Sequence, residues 1–203
     1  MTKTKICGIS RFEDVKACNI HLPDYVGLVF CESARRVDLD SASEIAAKIN
    51  RKCIKTAGVF RNNSLDEIIA AHNAVRLDVV QLHGDESAEI VKKLREFGDF
   101  EIIKALTISE LENKSFNINV VDGVLIDGQN PGSGESLDWN YLAKILQNFN
   151  KPVWLAGGLN PQNVKQAIEI VKPAVVDVSS GVEVKRGVKS AELMAEFIEG
   201  VRR

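Results

Sequence analysis

The sequence predicts an α/β protein: a single (βα)8 barrel of the TIM type, with short loops, spanning residues 1–203. Three observations carry the prediction. Short β-branched apolar runs alternate with amphipathic stretches eight times along the chain. Several of the runs are apolar at nearly every position, as strands covered on both faces are. The eight units leave no residues for another domain, and no G-x-G-x-x-G follows the first run, which counts against an open, doubly wound sheet.

The units follow in order. A strand at 5–7 leads to a helix at 11–20, where Ser10 and Glu13 have capping-box spacing. A strand at 25–30 precedes a helix at 40–50, with Ser41 and Glu44 at the same spacing. A strand at 54–60 precedes a helix at 65–75, opened by Ser64 and Glu67. A strand at 79–83 precedes a helix at 87–97. A strand at 101–105 precedes a helix at 108–113, opened by Thr107 and Glu110. Strands at 123–127, 152–156 and 174–178 precede helices at 138–148, 161–171 and 190–202. Asn160-Pro161 reads as a cap followed by a proline in the first helical turn.

Lys and Arg number 26 against 28 Asp and Glu, a net charge of −2, so the basic excess of a nucleic-acid binder is missing. No segment has the roughly 20 apolar residues that span a bilayer. The N-terminus has no apolar stretch of the signal-peptide kind. The cysteines, Cys7, Cys18, Cys31 and Cys53, form no CxxC pair and lack zinc-ligand spacing. A cytoplasmic chain without metal is expected. No long exposed apolar helix is evident, which favours a monomer.

In such a barrel chemistry collects at the C-terminal ends of the strands. Cys7-Gly8 ends the first strand, and Cys7 is either a small buried apolar residue or a reactive thiol favoured by the helix expected just beyond Ser10. Asp127 ends the sixth, as a loop cap or as a carboxyl kept protonated for general-acid work. Gly157-Gly158 and Ser179-Ser180-Gly181 follow the seventh and eighth, where many barrels hold a phosphate; ordinary turns have the same composition. Arg35 and Arg36 are either solvated or one of them meets an anion. His83 is either structural or a donor to substrate. Gly132-Ser133-Gly134 suits a lid or any flexible connection, and lacks the Lys-Ser/Thr of a Walker loop.

These residues resemble the phosphoribosylanthranilate isomerase family along essentially the whole chain. The motifs are Lys5-Ile6-Cys7-Gly8-Ile9, Gly27-Leu28-Val29-Phe30 with Ser33-Ala34-Arg35, Ala57-Gly58-Val59-Phe60 and Val80-Gln81-Leu82-His83-Gly84. They continue with Gly132-Ser133-Gly134 and Asp138-Trp139, Leu155-Ala156-Gly157-Gly158-Leu159-Asn160-Pro161, and Asp177-Val178-Ser179-Ser180-Gly181-Val182-Glu183. Pro131 stands where the family's first loop glycine is expected, and 30–33 is one residue short.

The resemblance implies a cofactor-free, cytoplasmic enzyme acting on a small phosphorylated aminosugar. The implied reaction is the Amadori rearrangement of N-(5-phosphoribosyl)anthranilate to 1-(2-carboxyphenylamino)-1-deoxyribulose 5-phosphate, in tryptophan biosynthesis. Asp127 is then the general acid and Cys7 the general base, with a thiol pKa lowered locally. Arg35, Gln81, His83 and Asp177 then contact substrate, and Gly157, Gly158, Ser179, Ser180 and Gly181 hold phosphate. Other sugar-phosphate isomerases, epimerases or lyases on the same barrel compete with this reading, as does a phosphate-binding barrel without activity.

Overall fold

Eight parallel strands close on themselves, with β1 paired to both β2 and β8. The computed structural model describes residues 1–128 and 137–203, so the expected lid stretch 132–134 lies outside the described residues. The strands are β1 Lys3–Cys7, β2 Tyr25–Val29, β3 Lys55–Phe60, β4 Val79–Leu82, β5 Glu101–Leu106, β6 Gly123–Ile126, β7 Val153–Leu155 and β8 Val175–Val178. The helices between and after them are α1 Phe12–His21, α2 Leu39–Lys48, α3 Leu65–Val75, α4 Ala88–Leu94, α5 Ile108–Glu112, α6 Trp139–Ile145, α7 Val164–Val171 and α8 Ala191–Arg202. This is the predicted (βα)8 barrel.

The period of two along each strand sorts side chains between two apolar layers. Ile6, Val26, Leu28, Val80, Ile102, Val124, Leu155 and Val176 face outward and pack beneath the helices. Tyr25, Ala57, Val79, Ile103, Leu125, Trp154 and Val175 form the inner layer. The Tyr25 and Trp154 rings, 4.9 Å apart, fill the barrel. The same alternation aims Lys5 and Cys7 of β1, Gln81 of β4 and Asp177 of β8 inward, so the inner layer turns polar towards the strand exits.

Helix starts agree only in part with the caps read from spacing. Ser64–Glu67 and Thr107–Glu110 form complete capping boxes. Ser10 does not cap: α1 begins later, after Arg11, which offers no side-chain cap. Ser41 does not cap either, because the chain turns helical earlier and Asp38 accepts the Ser41 N–H at 2.8 Å. Asn160 accepts from the N–H groups of Gln162 and Asn163 at 2.9 and 3.2 Å, closing a turn ahead of α7, which begins at Val164. A two-stranded hairpin, β9 Glu183–Lys185 with β10 Val188–Lys189, follows β8 and was not expected. Its strands are too short and too charged to show a period.

A repeated device secures the end of the barrel away from the loops that follow the strands. Asp24, Asp78 and Asp122 each precede an even-numbered strand and accept the backbone N–H of the strand before: Thr4 at 2.8 Å, Thr56 at 2.7 Å and Ile102 at 2.7 Å. Arg51 clamps Asp78 at 3.0 Å, and Arg95 clamps Asp122 at 2.6 Å. At the fourth such place, ahead of β8, stands Ala174. Asp78→Ala therefore leaves a strand N–H, the Thr56 hydroxyl and Arg51 short of an acceptor. We expect a stability loss of about 2 kcal/mol by urea unfolding, with KM and kcat unchanged, since the site lies at the other end.

Candidate active site

A cavity of about 710 Å³ opens at the C-terminal ends of the strands. Of the candidates among the described residues, Cys7, Arg35, Gln81, His83, Asp127, Gly157, Gly158, Asp177, Ser179 and Ser180 line it, and Gly181 and Arg36 do not. Arg36 is exposed outside it. A second cavity of about 520 Å³ lies beside α5 and residues 114–119 and contains none of these residues.

Inside the barrel a lysine organises the floor of the mouth. Lys5 is 0% exposed, and its ammonium donates to Asp177 Oδ2 at 2.7 Å and Gln81 Oε1 at 2.9 Å. Burial works against the Lys5 charge, but Asp177 and, after it, Cys7 together outweigh it, and the pKa lies above its ordinary value. The contact has the geometry of a salt bridge, while burial pushes the Asp177 carboxyl up against the pull of Lys5. Among the described residues, Asp177 Oδ1 is buried without a hydrogen-bond partner. Gly27 of β2 makes the room: a side chain there would put its Cβ 2.9 Å from Cys7 Sγ and 3.2 Å from Lys5 Cε.

Across the mouth Gln81 Nε2 lies 3.0 Å from His83 Nδ1. His83 Nε2 lies 3.3 Å from Asp127 Oδ2. Asp127 Oδ1 accepts the Gly128 N–H at 2.8 Å. Gly157 (φ +86°) lies against this carboxylate, and a Cβ there would sit 3.0 Å from Asp127 Oδ1 and 2.7 Å from Gly128 N. Glycine is needed there both for its backbone angle and for this approach. Gly181 carries a similar constraint. Its Cα packs on the loop after β7, and a Cβ would overlap the Leu159 carbonyl oxygen. The two glycine-bearing loops are thus in contact through bare backbone.

Cys7 is half-buried. Its thiol is not lowered as the sequence suggested. Burial pushes it up; Lys5 and Lys189 act the other way, and Asp177 adds to the rise. The expected help from a nearby helix N-terminus is lost because α1 begins at Phe12.

Arg35 reaches the cavity but is already held. Its Nε and Nη2 donate to Glu183 Oε1 and Oε2 at 2.7 and 2.8 Å. Lys189 donates to the same Glu183 at 2.8 Å and to the Ser179 carbonyl at 3.0 Å, and Ser179 Oγ donates to the Cys7 carbonyl at 3.1 Å. One chain of contacts therefore joins Arg35, the β9–β10 hairpin and the exit of β1. Burial alone would raise the Glu183 carboxyl, yet hydrogen bonds from Arg35 and Lys189 outweigh it and hold the pKa at about 2. A folded-state pKa below the ordinary 4.5 contributes stability that is present above 4.5 and lost as pH falls towards about 2. Glu183→Gln should flatten the loss of stability in that window, read as urea midpoints against pH. An undiminished slope would contradict the assignment.

Lys5 and Glu183 stand in the sequence only as letters of motifs, and Lys189 in none. Period-two alternation in β1 was the available signal for Lys5: if Cys7 faces the mouth, Lys5 faces the barrel interior. Glu183 and Lys189 gave no local signal.

An eightfold βα barrel whose ionisable groups and two touching glycine loops meet at the strand exits has the architecture of a barrel enzyme. The chain belongs to the N-(5'-phosphoribosyl)anthranilate isomerase family, whose model matches residues 4–200. The family is one of tryptophan-biosynthetic isomerases. The isomerase of Clostridium acetobutylicum is 41% identical, over 100% of this chain and 99% of that protein. The isomerase of Caldanaerobacter subterraneus is 42% identical, over 100% and 98%. Among solved structures, the Thermotoga maritima isomerase superposes with a TM-score of 0.87 at 32% identity, covering 100% of this chain and 99% of that one. A family structure in complex with reduced 1-(o-carboxyphenylamino)-1-deoxyribulose 5-phosphate superposes with a TM-score of 0.84, also at 32% identity, with 100% and 99% covered. Among the described residues, no helix is long and apolar enough to cross a membrane.

Proposed function

We propose that this chain converts N-(5'-phosphoribosyl)anthranilate to 1-(2-carboxyphenylamino)-1-deoxyribulose 5-phosphate, with Asp127 as general acid and Cys7 as general base. The observation that carries the proposal is that both groups open into one cavity, from β6 and β1, beside the loops after β7 and β8. Protonation of the furanose oxygen by Asp127 opens the ring, and the C1–O bond breaks to leave an iminium. Its positive nitrogen acidifies C2–H. Cys7 takes that proton and the C–H electron pair forms the enolamine. Tautomerisation then moves the C2 hydroxyl proton to C1 and yields the ketose. The enzyme is left with a protonated thiol and a bare carboxylate, and exchange with solvent resets both.

The backbone N–H groups of Gly157, Gly158, Ser179, Ser180 and Gly181 grip the phosphate in this reading. Arg35, held rigid by Glu183, presents its remaining Nη1 to the anthranilate carboxylate. Asp177 Oδ1, His83 and Gln81 meet the sugar hydroxyls. The test is turnover: anthranilate-linked substrates fluoresce in the near ultraviolet, and their consumption by the purified protein is expected. No turnover of this substrate would overturn the proposal.

The active protonation state has a proton on Asp127 and none on Cys7. A thiol ordinarily holds its proton more tightly than a carboxyl, and burial raises this one further. The alkaline limb of kcat/KM is therefore expected above 9.0, the ordinary value for the thiol. A limb falling well below that would contradict the raised thiol.

A further inference from the structure

The polarity of the contacts crossing the mouth is set by a residue that touches neither the acid nor the cavity. A lysine ammonium can only donate, so the Gln81 atom facing Lys5 is the carbonyl oxygen, Oε1, at 2.9 Å. That leaves the Gln81 amide nitrogen, a donor only, 3.0 Å from His83 Nδ1. Nδ1 must then accept, so the neutral imidazole carries its proton on Nε2, the nitrogen 3.3 Å from Asp127 Oδ2. The amide cannot flip without setting its NH2 against the ammonium. Lys5 is held in turn by Asp177 at 2.7 Å and has no exposure to solvent.

We propose that Lys5 is a positioning residue of the proton-transfer site: by orienting Gln81 it locks His83 in the Nε2–H tautomer facing Asp127. The imidazole N–H then stabilises the carboxylate that Asp127 becomes once it has given its proton to the ring oxygen. The inference rests on Asp127 as the acid, but its first readout does not require turnover.

The experiment is 15N NMR of the imidazoles at alkaline pH. The chain has 3 histidines, and loss of one signal in His83→Gln identifies the relevant one. Wild-type protein should show Nδ1 unprotonated. Gln81→Glu is the decisive variant: a carboxylate still accepts from Lys5, but it can only accept from His83 as well, so the proton should move to Nδ1. Lys5→Met should release the amide and give a mixture of tautomers, with kcat lowered about 10²-fold, a loss to which the missing charge beside Cys7 also contributes. If Lys5→Met does not fold, the wild-type and Gln81→Glu spectra decide. An Nδ1–H tautomer in the wild type, an unmoved proton in Gln81→Glu, or a unique Nε2–H in a folded Lys5→Met would each overturn the proposal. So would normal kcat with the tautomer lost. Activity surviving in Asp127→Asn would instead sink the acid assignment and leave the tautomer result standing.

Discussion

Cys7→Ala and Asp127→Asn are each expected to reduce kcat by about 10²–10⁴-fold, the range a positioned acid or base contributes. The two lesions differ in kind. Alanine at position 7 leaves the iminium formed but C2–H without a base. Asparagine at position 127 keeps the shape of the acid and can still face His83, but it has no proton to give to the ring oxygen. Neither residue belongs to the glycine loops, so binding of inorganic phosphate or of a reduced product analogue should survive in both, as measured by calorimetry. Progress curves from substrate fluorescence supply kcat. Turnover of Cys7→Ala within a few-fold of wild type would remove the base from the scheme.

Gly181→Ala should raise KM for the phosphorylated substrate by at least about tenfold, with a smaller effect on kcat. A methyl group on Gly181 would overlap the Leu159 carbonyl oxygen in the neighbouring loop. Backbone at the far side of that contact cannot yield like a side chain, so the loops after β7 and β8 must part. The N–H groups of Gly157, Gly158 and Ser180 would then no longer converge on one anion. An ångström of misplacement suffices, because charge-assisted hydrogen bonds depend steeply on distance and direction. Weaker binding of inorganic phosphate should accompany the rise in KM. Unchanged KM and phosphate affinity would show that the two loops do not act as one grip.

The barrel was legible because its causes are local. Runs such as Val79-Val80-Gln81-Leu82 are apolar on both faces, and each is followed by a stretch with helical period. That the candidate residues share one cavity was legible because side chains at the strand ends of this architecture face one mouth. β2 ends at Val29, and Arg35 lines the cavity. What escaped the sequence has long-range causes. Lys5 can be buried only because Asp177, 172 residues away along the chain, comes within 2.7 Å. Arg35 is clamped by Glu183, 148 residues away. The Cys7 thiol was expected to be lowered by a helix start that lies further along, and burial governs it instead. Ser10 and Ser41 have the spacing of caps, but the chain enters each helix at a different residue.

The central claim is that a thiol and a carboxyl act on opposite sides of one sugar while backbone amides hold its phosphate. A crystal structure of this protein with reduced 1-(o-carboxyphenylamino)-1-deoxyribulose 5-phosphate tests it most directly. We predict the phosphate on the N–H groups of the loops after β7 and β8, C2 within about 3.5 Å of Cys7 Sγ, and Asp127 on the other face within hydrogen-bond reach of the former ring oxygen. A ligand with its phosphate elsewhere, or with C2 turned away from Cys7 across the cavity, would contradict the mechanism.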